Sequence, residues 1–78
     1  MKEPTITPEI AAYFARAAVE EVQLGDGVSR AYAVGWLPSE FRDKATWTYQ
    51  KETAEMLLSV LVGAGVYSQD THVYKRIR

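Results

Sequence analysis

The sequence predicts a small α+β domain whose elements follow the order α-β-α-α-β-β. Two long segments carry apolar residues at helical spacing, and a β-prone segment lies between them. A glycine ends the second long segment, and two short β-prone runs separated by a polar turn follow it. The chain has 78 residues, which is the size of one domain. We therefore expect residues 1–78 to share one core, with residues 1–6 as a flexible N-terminus.

The first helix is predicted to begin after Thr7, whose side chain can cap it. Pro8 suits the first helical position, and Glu9 faces the positive end of the helix dipole. Apolar residues then recur at helical spacing, namely Ile10, Phe14, Ala17, Ala18 and Val22. The Gly-Asp-Gly sequence at 25–27 predicts that this helix stops near Leu24.

A strand is predicted over residues 28–37, where β-prone side chains alternate and Pro38 ends the run. The residues that would share one face of this strand are Val28, Tyr32, Val34 and Trp36. Ser39 is then expected to cap a short helix from Glu40 to about Ala45.

The long helix is predicted to begin at Thr46 or Thr48 and to run to about Gly63. Its polar strip is narrow and consists of Lys51, Glu52, Glu55 and Ser59. Its apolar arc is therefore about twice as wide as the roughly 100° stripe of an ordinary surface helix. The helix is thus either central to the domain or covered by a second protein. The side chains expected in one buried cluster are Leu57, Leu61, Phe14 and Trp36.

The last part of the chain predicts a hairpin. Residues 66–68 are expected to pair antiparallel with about His72–Arg76, with a turn at Gln69-Asp70.

These residues and this order of elements resemble a winged helix-turn-helix domain over about residues 38–77. The third helix of that family commonly carries a threonine and a small residue, leucines four and eight positions after the threonine, and then a small residue, glycine and an aliphatic residue. The matching residues are Thr53-Ala54, Leu57, Leu61 and Ala64-Gly65-Val66. The resemblance implies that the hairpin is the wing and that Phe41 and Ala45 are core positions of the second helix.

The resemblance also implies a DNA-binding regulator of transcription, of phage or plasmid type, whose long helix lies in the major groove. The nucleic-acid-binding residues would be Thr46, Thr48 and Lys51 on the helix, and Lys75, Arg76 and Arg78 near the wing. Glu52 and Glu55 depart from this pattern, because carboxylates on a recognition face are repelled by phosphates.

The second function that fits the sequence is protein binding, as a small phage-encoded inhibitor of host machinery (anti-CRISPR-like) that does not bind DNA. The net charge of −1 gives no general attraction to nucleic acid. Residues that could form a protein interface are Trp47, Tyr49, Met56 and Val60. The strip of Met56 and Val60 would meet either a second copy of the chain, as a homodimer, or a host protein.

Catalytic, metal and cofactor chemistry is not predicted. The chain has no cysteine and one histidine, His72, without a motif that brings partners to it. The adjacent Glu20 and Glu21 point about 100° apart on a helix and do not converge. No apolar run has the length of a membrane span, and the start of the sequence, residues 1–5, has no apolar stretch of signal-peptide type. We therefore expect a cytoplasmic protein that is not an enzyme and that has no cofactor.

Overall fold

Four α-helices and a three-stranded antiparallel sheet form residues 3–78, the part of the chain that the computed structural model describes. The predicted α+β class is thus confirmed. The helices are α1 (Pro8–Glu20), α2 (Arg30–Ala33), α3 (Ser39–Lys44) and α4 (Trp47–Gly63), and a 3-10 turn, Val34–Trp36, follows α2. The strands are β1 (Gly27–Val28), β2 (Tyr67–Asp70) and β3 (Val73–Arg76), in the sheet order β1-β3-β2. This arrangement is consistent with a winged-helix-like layout.

Threonine side chains cap both long helices, as predicted. The Thr7 hydroxyl accepts a hydrogen bond from the Ile10 amide at 3.3 Å, and the Thr46 hydroxyl accepts one from the Tyr49 amide at 3.1 Å. These bonds satisfy amides that have no partner within their own helix. Ser39, in contrast, does not cap α3, because the helix already includes it and Pro38 holds the cap position.

The C-terminal end of α4 is also as predicted, since a glycine stops the helix. The Val66 amide donates to the Leu61 carbonyl and the Gly65 amide to the Val62 carbonyl, each at 3.0 Å. These two bonds form a Schellman motif, which needs a left-handed residue. Gly65 supplies it with a φ of 80°.

The strand predicted over residues 28–37 is wrong beyond Val28. The Ser29 hydroxyl accepts a hydrogen bond from the Tyr32 amide at 3.2 Å and so caps α2. The buried residues of this segment are Ala33, Val34, Trp36 and Leu37, which is helical spacing and not alternation. A capping serine followed by good helix formers therefore outweighs the β-prone side chains.

The predicted hairpin forms, but its turn is two residues later than expected. Asp70 pairs with Val73, so that Thr71 and His72 make the turn and Gln69-Asp70 belong to β2. In this register Gln69 lies opposite Tyr74, and Tyr67 and Tyr74 both face the core, where they are nearly fully buried. Core packing therefore sets the register, and the turn accepts Thr71 at a φ of 56°.

The predicted cluster of four side chains is confirmed. Phe14, Trp36, Leu57 and Leu61 belong to one core, and Phe41 joins them as predicted. The Phe14 and Trp36 rings meet edge to face with their centroids 5.4 Å apart. This geometry is one of the favoured arrangements of aromatic pairs.

Two side chains of the hairpin dock it on the C-terminal end of α1. The Tyr67 hydroxyl donates to the Ala18 carbonyl at 2.7 Å, and the Arg76 guanidinium donates to the Val22 carbonyl. Burial raises the pKa of Tyr67, and the Arg76 charge opposes that rise in part. The helix α1 ends at Glu20, four residues before the predicted end, and the hairpin supplies donors to carbonyls at and just after this end.

The segment before α1 lies against the rest of the protein from Pro4 onward. The Pro4 carbonyl accepts a hydrogen bond from the Tyr49 hydroxyl at 3.1 Å, and Ile6 packs on the core. Of the segment predicted to be flexible, residues 1 and 2 lie outside the described residues.

Thr71→Gly is expected to stabilise the protein. A β-branched residue in the left-handed region costs about 1–2 kcal/mol, and glycine removes that strain. Glycine also raises the conformational entropy of the unfolded chain, which offsets part of the gain. The net gain should be roughly 0.5–1 kcal/mol, measured by urea unfolding. Ser68→Gly is the matched control in β2 and should destabilise. A Thr71→Gly variant less stable than the parent would contradict the strained turn.

Candidate interaction surface

One side of α4 is buried and the other is open to solvent. Its buried residues are Thr53, Ala54, Leu57, Leu58 and Leu61. The open side carries Trp47, Thr48, Lys51, Glu52, Met56 and Val60, which we call the α4 face. The wide apolar arc thus has two parts, because some of its apolar residues lie in the core and others remain uncovered.

The apolar side chains of the α4 face lie at its two margins. The exposed fractions are 54% for Trp47, 45% for Met56 and 62% for Val60. Met56 and Val60 are one helical turn apart, whereas Trp47 and Met56 are separated by about 180° around the helix axis. Glu52 lies between these margins. The face therefore combines apolar edges with a charged centre on a regular helix.

Lys51 lies at the Trp47 margin. Its ammonium is 5.4 Å from the centroid of the Trp47 ring, within the range of a cation–π interaction. Lys51 is the one basic residue of α4, and the helix also carries Glu52 and Glu55. The charge of this helix is therefore negative in sum.

A groove of about 290 Å³ separates this margin from α2 and from the hairpin turn. Arg30 and Glu55 form an ion pair in its wall, with the Arg30 Nη1 3.3 Å from the Glu55 Oε2. Lys51, His72 and Tyr74 also line the groove. Because both side chains of the ion pair are about half exposed, the pair contributes little to stability.

Tyr74 connects this groove to the core. Burial raises the pKa of its hydroxyl, and the Glu55 carboxylate adds to the rise. The Arg30 charge and the neighbouring Ser59 hydroxyl act in the opposite direction. The phenol therefore stays protonated well into the alkaline range and can act as a hydrogen-bond donor beside the ion pair.

The structure does not bring the six predicted nucleic-acid-binding residues together. Thr46, Thr48 and Lys51 lie at the start of α4, and the Thr46 hydroxyl is occupied as a cap. Lys75 is exposed on the outer face of the hairpin, opposite Ser68. This lysine and the start of α4 therefore belong to different parts of the surface.

The two arginines of the set are farther from the start of α4. The Arg76 guanidinium is bound to the carbonyls of Val22 and Arg78. A Cβ on Gly65 would lie 3.9 Å from the Arg78 Nη1, which places Arg78 beside the end of α4. The seventeen-residue helix is about 25 Å long. Arg78 and Thr46 are therefore at opposite ends of the protein's longest helix.

Of the four predicted protein-interface residues, Trp47, Met56 and Val60 lie on the α4 face, whereas Tyr49 has a structural role. Its ring stacks on Phe41 with the centroids 5.9 Å apart, and its hydroxyl holds the Pro4 carbonyl. Tyr49 is thus half-buried between α4, α3 and the N-terminal segment.

Sequence reasoning missed the contribution of Arg30 and His72 to the groove beside α4. Arg30 was expected in a strand, and His72 was expected within a strand and not at its turn. Arg30 and Glu55 are far apart in the chain, so no local sequence pattern predicts their ion pair.

Within the described residues, no group of three or more His, Asp or Glu side chains is arranged to hold a metal ion. Across the same part of the chain, each helix is too short or too polar to span a bilayer. Comparisons of the chain with models of protein families, with curated proteins and with solved structures find no match.

The protein should lose stability as the pH rises above about 10, because Tyr67 and Tyr74 remain protonated in the folded state while they ionise in the unfolded chain. The contribution of these two tyrosines to the free energy of unfolding is complete below that pH and is lost above it. Tyr67→Phe and Tyr74→Phe should each make the free energy of unfolding fall less steeply with pH. Urea unfolding between about pH 8 and 11 measures this slope. Tyr13→Phe, which alters a ring that is 56% exposed, should leave it unchanged. Phe variants with the parent slope would contradict this assignment.

Proposed function

We propose that the protein acts by binding another protein through the α4 face. The observation that carries this proposal is the exposure of Trp47, Met56 and Val60 on one regular helix. Large apolar and aromatic side chains on a rigid element are typical anchors of protein interfaces, since little entropy is lost when they bind. Small phage-encoded inhibitors of host machinery, such as anti-CRISPR proteins, are the class of function that this mode of action fits.

The charges of the α4 face also favour a protein partner over nucleic acid. Affinity for DNA comes largely from basic side chains that neutralise neighbouring phosphates. Here Glu52 occupies the centre of the face, and Lys51 is shared with the Trp47 ring. A polypeptide can accommodate such a mixed surface, because it offers both apolar side chains and hydrogen-bond donors for the carboxylate.

Site-specific photo-crosslinking in extracts of the source cells tests this proposal. A photoreactive residue in place of Glu52 should give an adduct of one defined mass, whereas the same residue in place of the exposed Asp70 on β2 should not. Met56→Glu should abolish the adduct at position 52, because it places a charge at the apolar margin. Its circular dichroism melt serves as the folding control. Equal adducts at positions 52 and 70, or an adduct at position 52 that survives Met56→Glu, would contradict the proposal.

DNA binding is the second candidate, and the winged-helix-like layout is the observation that favours it. In that layout the groove beside α4 would face the duplex with Lys51, Arg30 and His72. Binding of a fluorescent duplex by micromolar protein in about 50 mM salt would support this function. Lys51→Ala should then lower the slope of log K against log salt by about one unit, and Glu52→Gln should strengthen binding. No change in anisotropy under these conditions would exclude it.

A further inference from the structure

A groove between α1 and α3 is lined by none of the residues of the α4 face. Its volume is about 380 Å³, and Ile10, Tyr13 and Phe41 form its apolar floor. Glu9, Glu40 and Lys44 stand at its rim. We call it the α1–α3 groove. The ring of Tyr13 is 56% exposed, so an apolar side chain that entered the groove would cover it.

This groove continues into the outer face of α1, with which it shares Glu9 and Tyr13. Together the two carry four carboxylates and two basic side chains. The carboxylates are those of Glu9, Glu20, Glu21 and Glu40, and the basic residues are Arg16 and Lys44. The joined surface is therefore apolar at its floor and acidic at its rim, which is complementary to an apolar side chain flanked by basic residues.

Such a segment is present in the chain itself, at the end of β3. Ile77 is 54% exposed and lies between Lys75 and Arg78, which are exposed as well. The backbone here is fixed, since the Ile77 amide donates to the Val66 carbonyl at 2.9 Å and the Arg76 amide to the Asp26 carbonyl at 2.9 Å. The segment is thus held extended and can bind without much ordering.

The segment cannot reach the groove of its own molecule. Phe41 in the groove stacks on Tyr49 in the first turn of α4, whereas Arg78 lies beside Gly65, just past the last turn. About 25 Å of helix separates these two places. Any pairing of this segment with the groove therefore joins two molecules.

We propose that a second copy of this chain binds the α1–α3 groove with the end of its β3. Ile77 of one copy covers Tyr13 of the other, and Lys75, which lies on the same side of the extended segment as Ile77, faces the carboxylates of Glu9 and Glu40. The two surfaces are different, so each pair leaves one groove and one segment free. Such head-to-tail contacts build rings or open chains and not a closed two-fold dimer.

The contact is small, so the association should be weak, with a dissociation constant on the order of 0.1–1 mM at low salt. Its charged rim should make it weaker as the salt concentration rises. This inference concerns a surface separate from the α4 face and does not rest on the function proposed above.

Sedimentation equilibrium of the purified protein tests the inference. Up to about 2 mM protein, the weight-average mass should rise with concentration and pass the dimer mass without a plateau, and about 0.5 M salt should reduce the rise. Ile77→Asp should abolish the rise in mass.

Met56→Glu is the matched control, because it places a carboxylate on the α4 face, the other exposed apolar surface. This variant should show the same rise in mass as the parent. A parent that stays monomeric, a plateau at the dimer, or association that is lost in Met56→Glu and kept in Ile77→Asp would overturn the proposal.

A charge exchange tests the pairing itself. A variant with Lys75→Glu, and another with Glu9→Lys and Glu40→Lys, should each associate at least about tenfold more weakly than the parent. An equimolar mixture should recover association, because the carboxylate at position 75 of the first then meets the basic groove of the second. If each variant melts as a folded protein and the mixture stays as weak as its components, the pairing is wrong.

Discussion

The buried hydrogen bond from the Tyr67 hydroxyl to the Ala18 carbonyl joins the two ends of this fold. The two residues are 49 positions apart, and the bond is 2.7 Å long and buried between α1 and the hairpin. Arg76 adds a second donor to the same helix end through the Val22 carbonyl. Together they satisfy carbonyls that a helix end would otherwise present to the core, where an unmet acceptor costs about 1–3 kcal/mol. These two bonds therefore join β2 and β3 to the end of α1 and to the segment that follows it.

The same docking decides which part of α4 remains open. The sheet packs against one flank of α4 through β2, and α2 covers another flank, so that Trp47, Met56 and Val60 have no cover from the described residues. The α4 face is therefore the part of this helix that neither the sheet nor α2 covers. It is rigid, partly apolar and acidic at its centre. These properties suit a protein partner better than a phosphate backbone, and they underlie the proposed function.

Local chemistry made much of the fold predictable. Thr7, Thr46 and Gly65 mark helix ends through hydrogen bonds within a few residues, and the spacing of the leucines in α4 indicates its buried side. The strand prediction after Val28 was wrong, because the alternating β-prone side chains there favour a strand, whereas the Ser29 cap begins a helix. The register of the hairpin follows from the burial of two tyrosines against distant helices. The positions of the six predicted DNA-binding residues depend on tertiary structure in the same way, so their separation could not be read from spacing.

Native-state amide hydrogen exchange tests most directly whether the α1–hairpin docking supports the whole fold. In the parent, the amides of Arg76 and Ile77 in the hairpin and of Leu58 and Leu61 in α4 should open with the same free energy, that of global unfolding. In Tyr67→Phe the opening free energies of all four amides should fall by the same amount, about 1–3 kcal/mol, because the hairpin and α4 unfold together. If the hairpin amides lose protection while those of α4 keep theirs, the hairpin is an independent appendage and the docking does not hold the structure together.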